Sequence, residues 1–201
     1  MKAKIDDNML DVLKELANIG VGNAVTSLSQ MLGEERINMD VPVATLIPLQ
    51  DVPDLLGGGE VAVAGVYIKS TGDMDLTILF VLSLDSAANL IKSLLPGANG
   101  EMDEMGTSVL VEVGNILTAS YLNALSMMAD LRLLPSPPQL AVDMSGAIIS
   151  TAMAENYLIQ DEVVLLRTTL STQERRIDGN IFILPDSDTL GKTFTLLLGS
   201  G

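Results

Sequence analysis

The sequence predicts an α+β fold, in which two long amphipathic helices pack side by side on one face of a largely antiparallel sheet and the whole forms a pseudo-two-fold internal repeat. Three observations lead there. Two stretches repeat apolar residues at steps of three and four, the spacing that lays one stripe along a helix: Leu10, Leu13, Ala17, Val21, Ala24, Leu28 and Met31, then Leu110, Gly114, Leu117, Tyr121, Leu125 and Met128. Runs rich in Val, Ile, Leu and Thr, punctuated by Pro and Gly, lie between and beyond them and read as strands. Shifting the chain by 97 residues lays Glu15-Leu-Ala-Asn18-Ile over Glu112-Val-Gly-Asn115-Ile, and Leu28-Ser29 over Leu125-Ser126.

Taken in order, the first helix is expected from Asp6 to Leu32, capped by Asp6 and Asp7 and stopped by Gly33. Residues 37–50 and 60–82 follow as strands, broken by Pro42, Pro48, a Gly57-Gly58-Gly59 turn and Gly72. A short helix is expected from Asp85 to Leu95, stopped by Pro96-Gly97, and Gly97 to Gly106 reads as a solvated acidic loop. The second long helix starts near Thr107. After it come a Pro-rich turn, a Gly/Ala-rich helix near Asp143 to Glu155, strands at Glu162–Thr169 and Asn180–Leu184, and a last helix at Thr189–Leu198. Phe80-Val-Leu with Asp85-Ser86 resembles Phe182-Ile-Leu with Asp186-Ser187, which extends the repeat. The expected organisation is one domain over residues 1–201 made of two homologous halves, about 1–100 and 101–201, because neither half is long enough to bury its sheet face and its helix alone. Chance similarity between two amphipathic helices would account for the apolar matches only; the matched Glu and Asn need another reason.

Composition excludes much chemistry. With no Cys and no His, the chain has no disulfide, no thiolate nucleophile, no imidazole base and no His- or Cys-ligated metal, so carboxylates, amides, hydroxyls, Lys and Arg must do any work. Aromatics are 3% of the residues against 48% apolar, so the interior is expected to be aliphatic. Twenty-six acidic residues against 11 basic ones give a net charge of −15, which repels a phosphate backbone and argues against nucleic acid as a partner. The same field favours a partner with a basic patch. Lys2 and Lys4 have no apolar segment behind them, and no stretch approaches the ~20 apolar residues of a spanning helix. No signal peptide and no membrane insertion are expected, and a cytoplasmic location is.

The repeated Glu-x-x-Asn carries the functional signal. At about 100° per residue, Glu15, Asn18 and Gly22 lie nearly opposite the Leu13/Ala17/Ala24/Leu28 stripe and should face out, as should Glu112, Asn115 and Ala119 in the second helix. A lone exposed Glu and Asn would be ordinary solvated helix residues. Asn is a poor helix-interior residue, costing roughly 0.6 kcal/mol against Ala, so its use twice at the same place favours a function. The small residue one turn on, Gly22 or Ala119, would let a partner's backbone come close. Gly20 and Gly22 point either to close packing or to partner contact, and they suggest a looser first helix and a stronger second site.

Glu15-Leu-Ala-Asn-Ile-Gly-Val-Gly-Asn-Ala, its echo Glu112-Val-Gly-Asn115-Ile, and the Ile47-Pro-Leu and Gly65-Val-Tyr segments resemble the CheC group of bacterial chemotaxis phosphatases, relatives of CheX and FliY. The resemblance implies hydrolysis of the aspartyl phosphate on a CheY-type response regulator at two sites, Glu15/Asn18 and Glu112/Asn115. In that chemistry an Asn carboxamide orients the attacking water and Glu pairs with a basic residue of the receiver domain. The protein then needs no cofactor of its own, the divalent metal, Mg, being held by the receiver. The resemblance also implies a second partner, the receptor deamidase CheD, on the helix that starts at Asp143, whose place in the first half is taken by a short loop around Asp51 to Leu56. That helix could instead pack on the protein's own sheet. Two other functions stay open: a non-catalytic adaptor that binds the regulator or CheD, and a structural role in the flagellar switch.

Overall fold

The computed structural model describes residues 7–31, 38–155, 162–172 and 175–185. Its central element is a seven-stranded sheet in which every pairing is antiparallel, ordered β1 (Asn38–Pro48), β6 (Glu162–Ser171), β7 (Arg176–Pro185), β3 (Leu76–Ser83), β2 (Ala62–Gly72) and β4 (Leu133–Pro135), with β5 (Gln139–Met144) also on β2. On one face lie α1 (Asp7–Met31), α3 (Leu84–Leu94) and α4 (Glu104–Ala129). On the other lie a 3-10 turn, Leu49–Asp51, running into α2 (Val52–Leu55), and α5 (Ser145–Glu155). The middle of the sheet is therefore buried on both sides, and β3 reads Leu-Thr-Ile-Leu-Phe-Val-Leu without an exposed residue before Ser83. That is why its sequence is a continuous apolar run instead of an alternation.

The apolar stripes do what their spacing dictates. Leu13, Leu16, Ala17, Ala24 and Leu28 from α1 and Leu110, Val113, Leu117 and Leu125 from α4 enter one core with Val66, Ile78, Phe80, Val164 and Ile183 of the sheet. The side chain of Asp103 caps α4 by accepting from the Gly106 amide at 2.9 Å, and Ser83 caps α3 by accepting from the Ser86 amide at 3.1 Å. The order long helix, edge strand, helix, strand, strand occurs twice, and α4 starts 97 residues after α1 (Glu104 against Asp7).

Several expectations are corrected. The strand match of Phe80 to Phe182 is one residue out: Phe80 stands opposite Ile181 and faces the long helices, whereas Phe182 stands opposite Leu79 and faces α5. Side chains alternate along a strand, so a slip of one residue moves a ring to the opposite core. Gly179 leaves the space Phe80 needs, since a Cβ there would lie 2.8 Å from its ring. The Pro-rich turn after α4 contains β4 and runs into β5, a solvent-exposed edge on which Pro135 is tolerated because an edge amide needs no partner. The segment from Asp51 to Leu56 is not merely a loop, because it holds α2. Asp143 lies on β5, not at a helix start; α5 begins at Ser145. Gly72, the last residue of β2, meets the α4–β4 connection so closely that a Cβ there would clash with the Arg132 carbonyl oxygen, at a φ of +123°. The helix expected at Thr189–Leu198 lies outside the described residues.

Candidate functional site

Glu15 and Asn18 are exposed on α1, and on α4 Glu112 is exposed and Asn115 half-buried. The two helices are neighbours, and they approach closely at Gly20. Its missing side chain admits the backbone of the other helix, for a Cβ there would lie 3.2 Å from Cα of Tyr121 and 3.3 Å from the Ser120 carbonyl oxygen. Gly20 is thus a packing residue. Gly22 differs: it is exposed, and a Cβ there would meet nothing within 4 Å. Ala119, in the corresponding place on α4, is half-buried.

Asn18 borders an open depression of about 450 Å³ that no linear pattern announced. Its walls come from four elements: Asn18 and Val21 of α1, Asp40 of β1, Thr169 and Ser171 of β6, and Arg176 of β7. Beside it, one carboxylate oxygen of Asp178 accepts from the Thr169 hydroxyl at 2.8 Å and from Nε of Arg176 at 3.1 Å. The Thr169 hydrogen bond, followed by the Arg176 guanidinium, holds the Asp178 carboxyl below its usual pKa against the opposing effect of desolvation. The Arg176 and Asp178 side chains are 72% and 65% exposed, so this pair fixes a geometry more than it stabilises the fold.

Asp143 is exposed on β5, its own carboxylate accepting from the Met144 amide at 2.7 Å. It lines a smaller hollow of about 150 Å³ on the opposite face of the sheet, with Tyr67 and Gln139 and with Ala147, Ile148 and Thr151 of α5. The inner side of α5 packs on the protein's own sheet through Ile148, Ile149 and Ala152, while Ser150 and Thr151 stay exposed. Its start is pinned by the glycine turn: Ser145 donates from Oγ to the Gly58 carbonyl at 2.8 Å, and the Gly146 amide to the Gly59 carbonyl at 3.0 Å. Among the described residues no three acidic side chains form a cluster that could hold a metal ion, and no helix is long and apolar enough to cross a membrane.

A family model described as the CheC-like family matches residues 9–46 and 105–142, which are the two motif helices and most of the strands that follow them. The chain is 32% identical over 200 residues to the CheY-P phosphatase CheC of Bacillus subtilis strain 168, covering 96% of this chain and 95% of that protein. The chain belongs to the CheC-like family. Among solved structures, this CheC-like chain is similar to Thermotoga maritima FliY, with a TM-score of 0.78, 17% identity and coverage of 99% and 100% of the two chains. It is also similar to a chain of the FliM–SpeE complex from H. pylori, with a TM-score of 0.72, 10% identity and coverage of 98% and 97%. These two likenesses show the fold, which proteins of different names share; the motif residues must argue the chemistry.

Proposed function

We propose that this CheC-like protein hydrolyses the aspartyl phosphate of a phosphorylated CheY-type response regulator, at Glu15/Asn18 and at Glu112/Asn115, in bacterial chemotaxis. The observation that carries the proposal is the same Glu-x-x-Asn on two adjacent helices, with both carboxylates exposed and both carboxamides reachable from solvent. An acyl phosphate is intrinsically labile, and the receiver brings the divalent metal that neutralises developing charge, so this chain supplies no cofactor. The task left to it is to place water. A carboxamide accepts one hydrogen bond from a water and donates one to it, aligning the oxygen with phosphorus; the P–O bond to the aspartyl carboxylate then breaks, releasing phosphate. Glu fixes register by pairing with a basic receiver group, and Gly22 or Ala119 leaves room for the receiver's backbone. The curated relative's name, CheY-P phosphatase, and its 32% identity across nearly the whole chain support the same chemistry.

The test mixes purified protein with an excess of phosphorylated receiver and follows phosphate release. Many turnovers per chain are expected. Stoichiometric protection of the phosphoryl group, or no effect, would instead support the adaptor reading. For the second partner, CheD, the hollow between β5 and α5 is the proposed seat, with Asp143 at its edge. Asp143→Lys should abolish capture of the deamidase in a pull-down while hydrolysis is unchanged; retained capture would remove this edge from the contact.

A further inference from the structure

The two motif helices differ in the cations they carry. Helix α4 contains no Lys or Arg along its 26 residues, and Val111 stands where α1 has the exposed Lys14. Across the depression from Asn18 stands Arg176. Among the described residues its orientation is set by Asp178 through Nε, and the side chain stays 72% exposed, which leaves the outer edge of the guanidinium to a partner. A protein of net charge −15 needs such a group if its target is anionic. A receiver that holds a divalent metal beside an acyl phosphate must ligate it with carboxylates, so the surface around its phosphoryl group is acidic.

Resting on the phosphatase reading, we infer that Arg176 is a docking residue of the first site only, pairing with a carboxylate on the acidic rim of the phosphorylated receiver while Asn18 reaches the phosphoryl group. Contacts of this kind at the rim of an interface act mainly on encounter and are screened by salt. The first site is therefore the more strongly steered and the more salt-sensitive of the two.

The test uses the full chain with one site silenced at a time: Asn115→Ala leaves the first site and Asn18→Ala leaves the second. In the Asn115→Ala background, adding Arg176→Gln should raise KM by about three- to tenfold at low ionic strength with kcat unchanged. The rise should shrink toward 0.5 M salt, and Arg176→Lys should restore most of the loss. In the Asn18→Ala background nothing should move. An equal rise in both backgrounds, or none in the first, overturns the inference and leaves the phosphatase reading standing. If neither background releases phosphate, that reading fails by itself, and the docking role is then decided by binding. A receiver loaded with beryllium fluoride, a stable mimic of the acyl phosphate, is titrated with Glu112→Lys and Glu15→Lys chains, each blocking one face. Salt-dependent weakening by Arg176→Gln confined to the Glu112→Lys chain sustains the role; no weakening there overturns it.

Discussion

Helices α1 and α4 carry the same five-residue motif at the same offset, in elements of 25 and 26 residues, yet they are built differently around it. Where α1 has Gly20 against the partner helix, α4 has Leu117, buried in the core. Where α1 has Ala24, α4 has Tyr121, whose ring is fully buried. At these two places a small residue on α1 corresponds to a large one on α4, and Gly20 packs against Tyr121, so the packing between the helices is not symmetric. Asn18 opens on a depression walled by Asp40, Thr169, Ser171 and Arg176 together with Val21 and Met39, while Asn115 is half-buried. The lesson is that the residues proposed for chemistry recur while the packing and capture surfaces do not, which is what separate demands on the two features would produce.

The variant that tests this most strongly removes the carboxamides. Asn18→Ala and Asn115→Ala should each remove part of the phosphatase activity, and together about 100- to 1,000-fold, the loss seen when one preorganised polar group at a reacting centre is deleted. The double variant should melt where the wild type does. The residual activities should also separate by salt, with Asn115→Ala the more salt-sensitive of the two. Identical salt profiles would break the contrast between the sites, and full activity in the double variant would remove both Asn residues from the chemistry.

Next in size are the two glycines of α1, which the structure assigns to opposite roles. Gly20→Ala puts a methyl group 3.2–3.3 Å from backbone atoms of α4, which cannot rotate away, so the helices must separate. Overpacking of this kind costs about 1–3 kcal/mol, offset in part by the ~1 kcal/mol that Ala gains over Gly in a helix, so a net loss of about 1 kcal/mol in urea unfolding is expected. Gly22→Ala meets nothing and should gain up to about 1 kcal/mol, while first-site hydrolysis falls if a receiver's backbone uses that space. Equal effects at the two positions would mean that α1 and α4 do not approach at Gly20.

How much of this was legible beforehand follows from how local each signal is. The long helices, β1, β2, β3, β6, β7 and α3 were readable because periodicity and punctuation are properties of adjacent residues. Strands β4 and β5 were not, since Pro135, Pro137 and Pro138 announce a turn and the strands' partner, β2, is about 70 residues earlier in the chain. The equivalence of Phe80 and Phe182 looked sound in letters and failed in register, which only the pairing of β3 with β7 decides. Glu15, Asn18, Glu112 and Asn115 stood out by repetition. Arg176 did not, because its place near Asn18 depends on four elements converging, and Gly20 could be assigned to packing only once Tyr121 was beside it.

The smallest expected effect at neutral pH belongs to Tyr121, the large residue on the α4 side of the contrast. Its hydroxyl is buried and has no hydrogen-bond partner among the described residues. An unsatisfied buried hydroxyl forfeits its hydration without compensation, so Tyr121→Phe should be neutral or stabilising by under about 1 kcal/mol at pH 7, where most core substitutions on α4 would destabilise. The pH dependence gives the sharper reading. Burial pushes the phenol well above its ordinary value, so above about pH 10 the unfolded chain releases this proton and the folded chain does not. A group with a raised folded pKa contributes stability that is complete below the unfolded value and lost as pH rises past it. The wild type should therefore lose about 1.4 kcal/mol more than Tyr121→Phe between pH 9 and pH 11, from the linkage slope of one proton. Urea unfolding of both proteins at the two pH values measures the difference; parallel losses would place the Tyr121 hydroxyl in contact with water and loosen the helix contact on which the comparison rests.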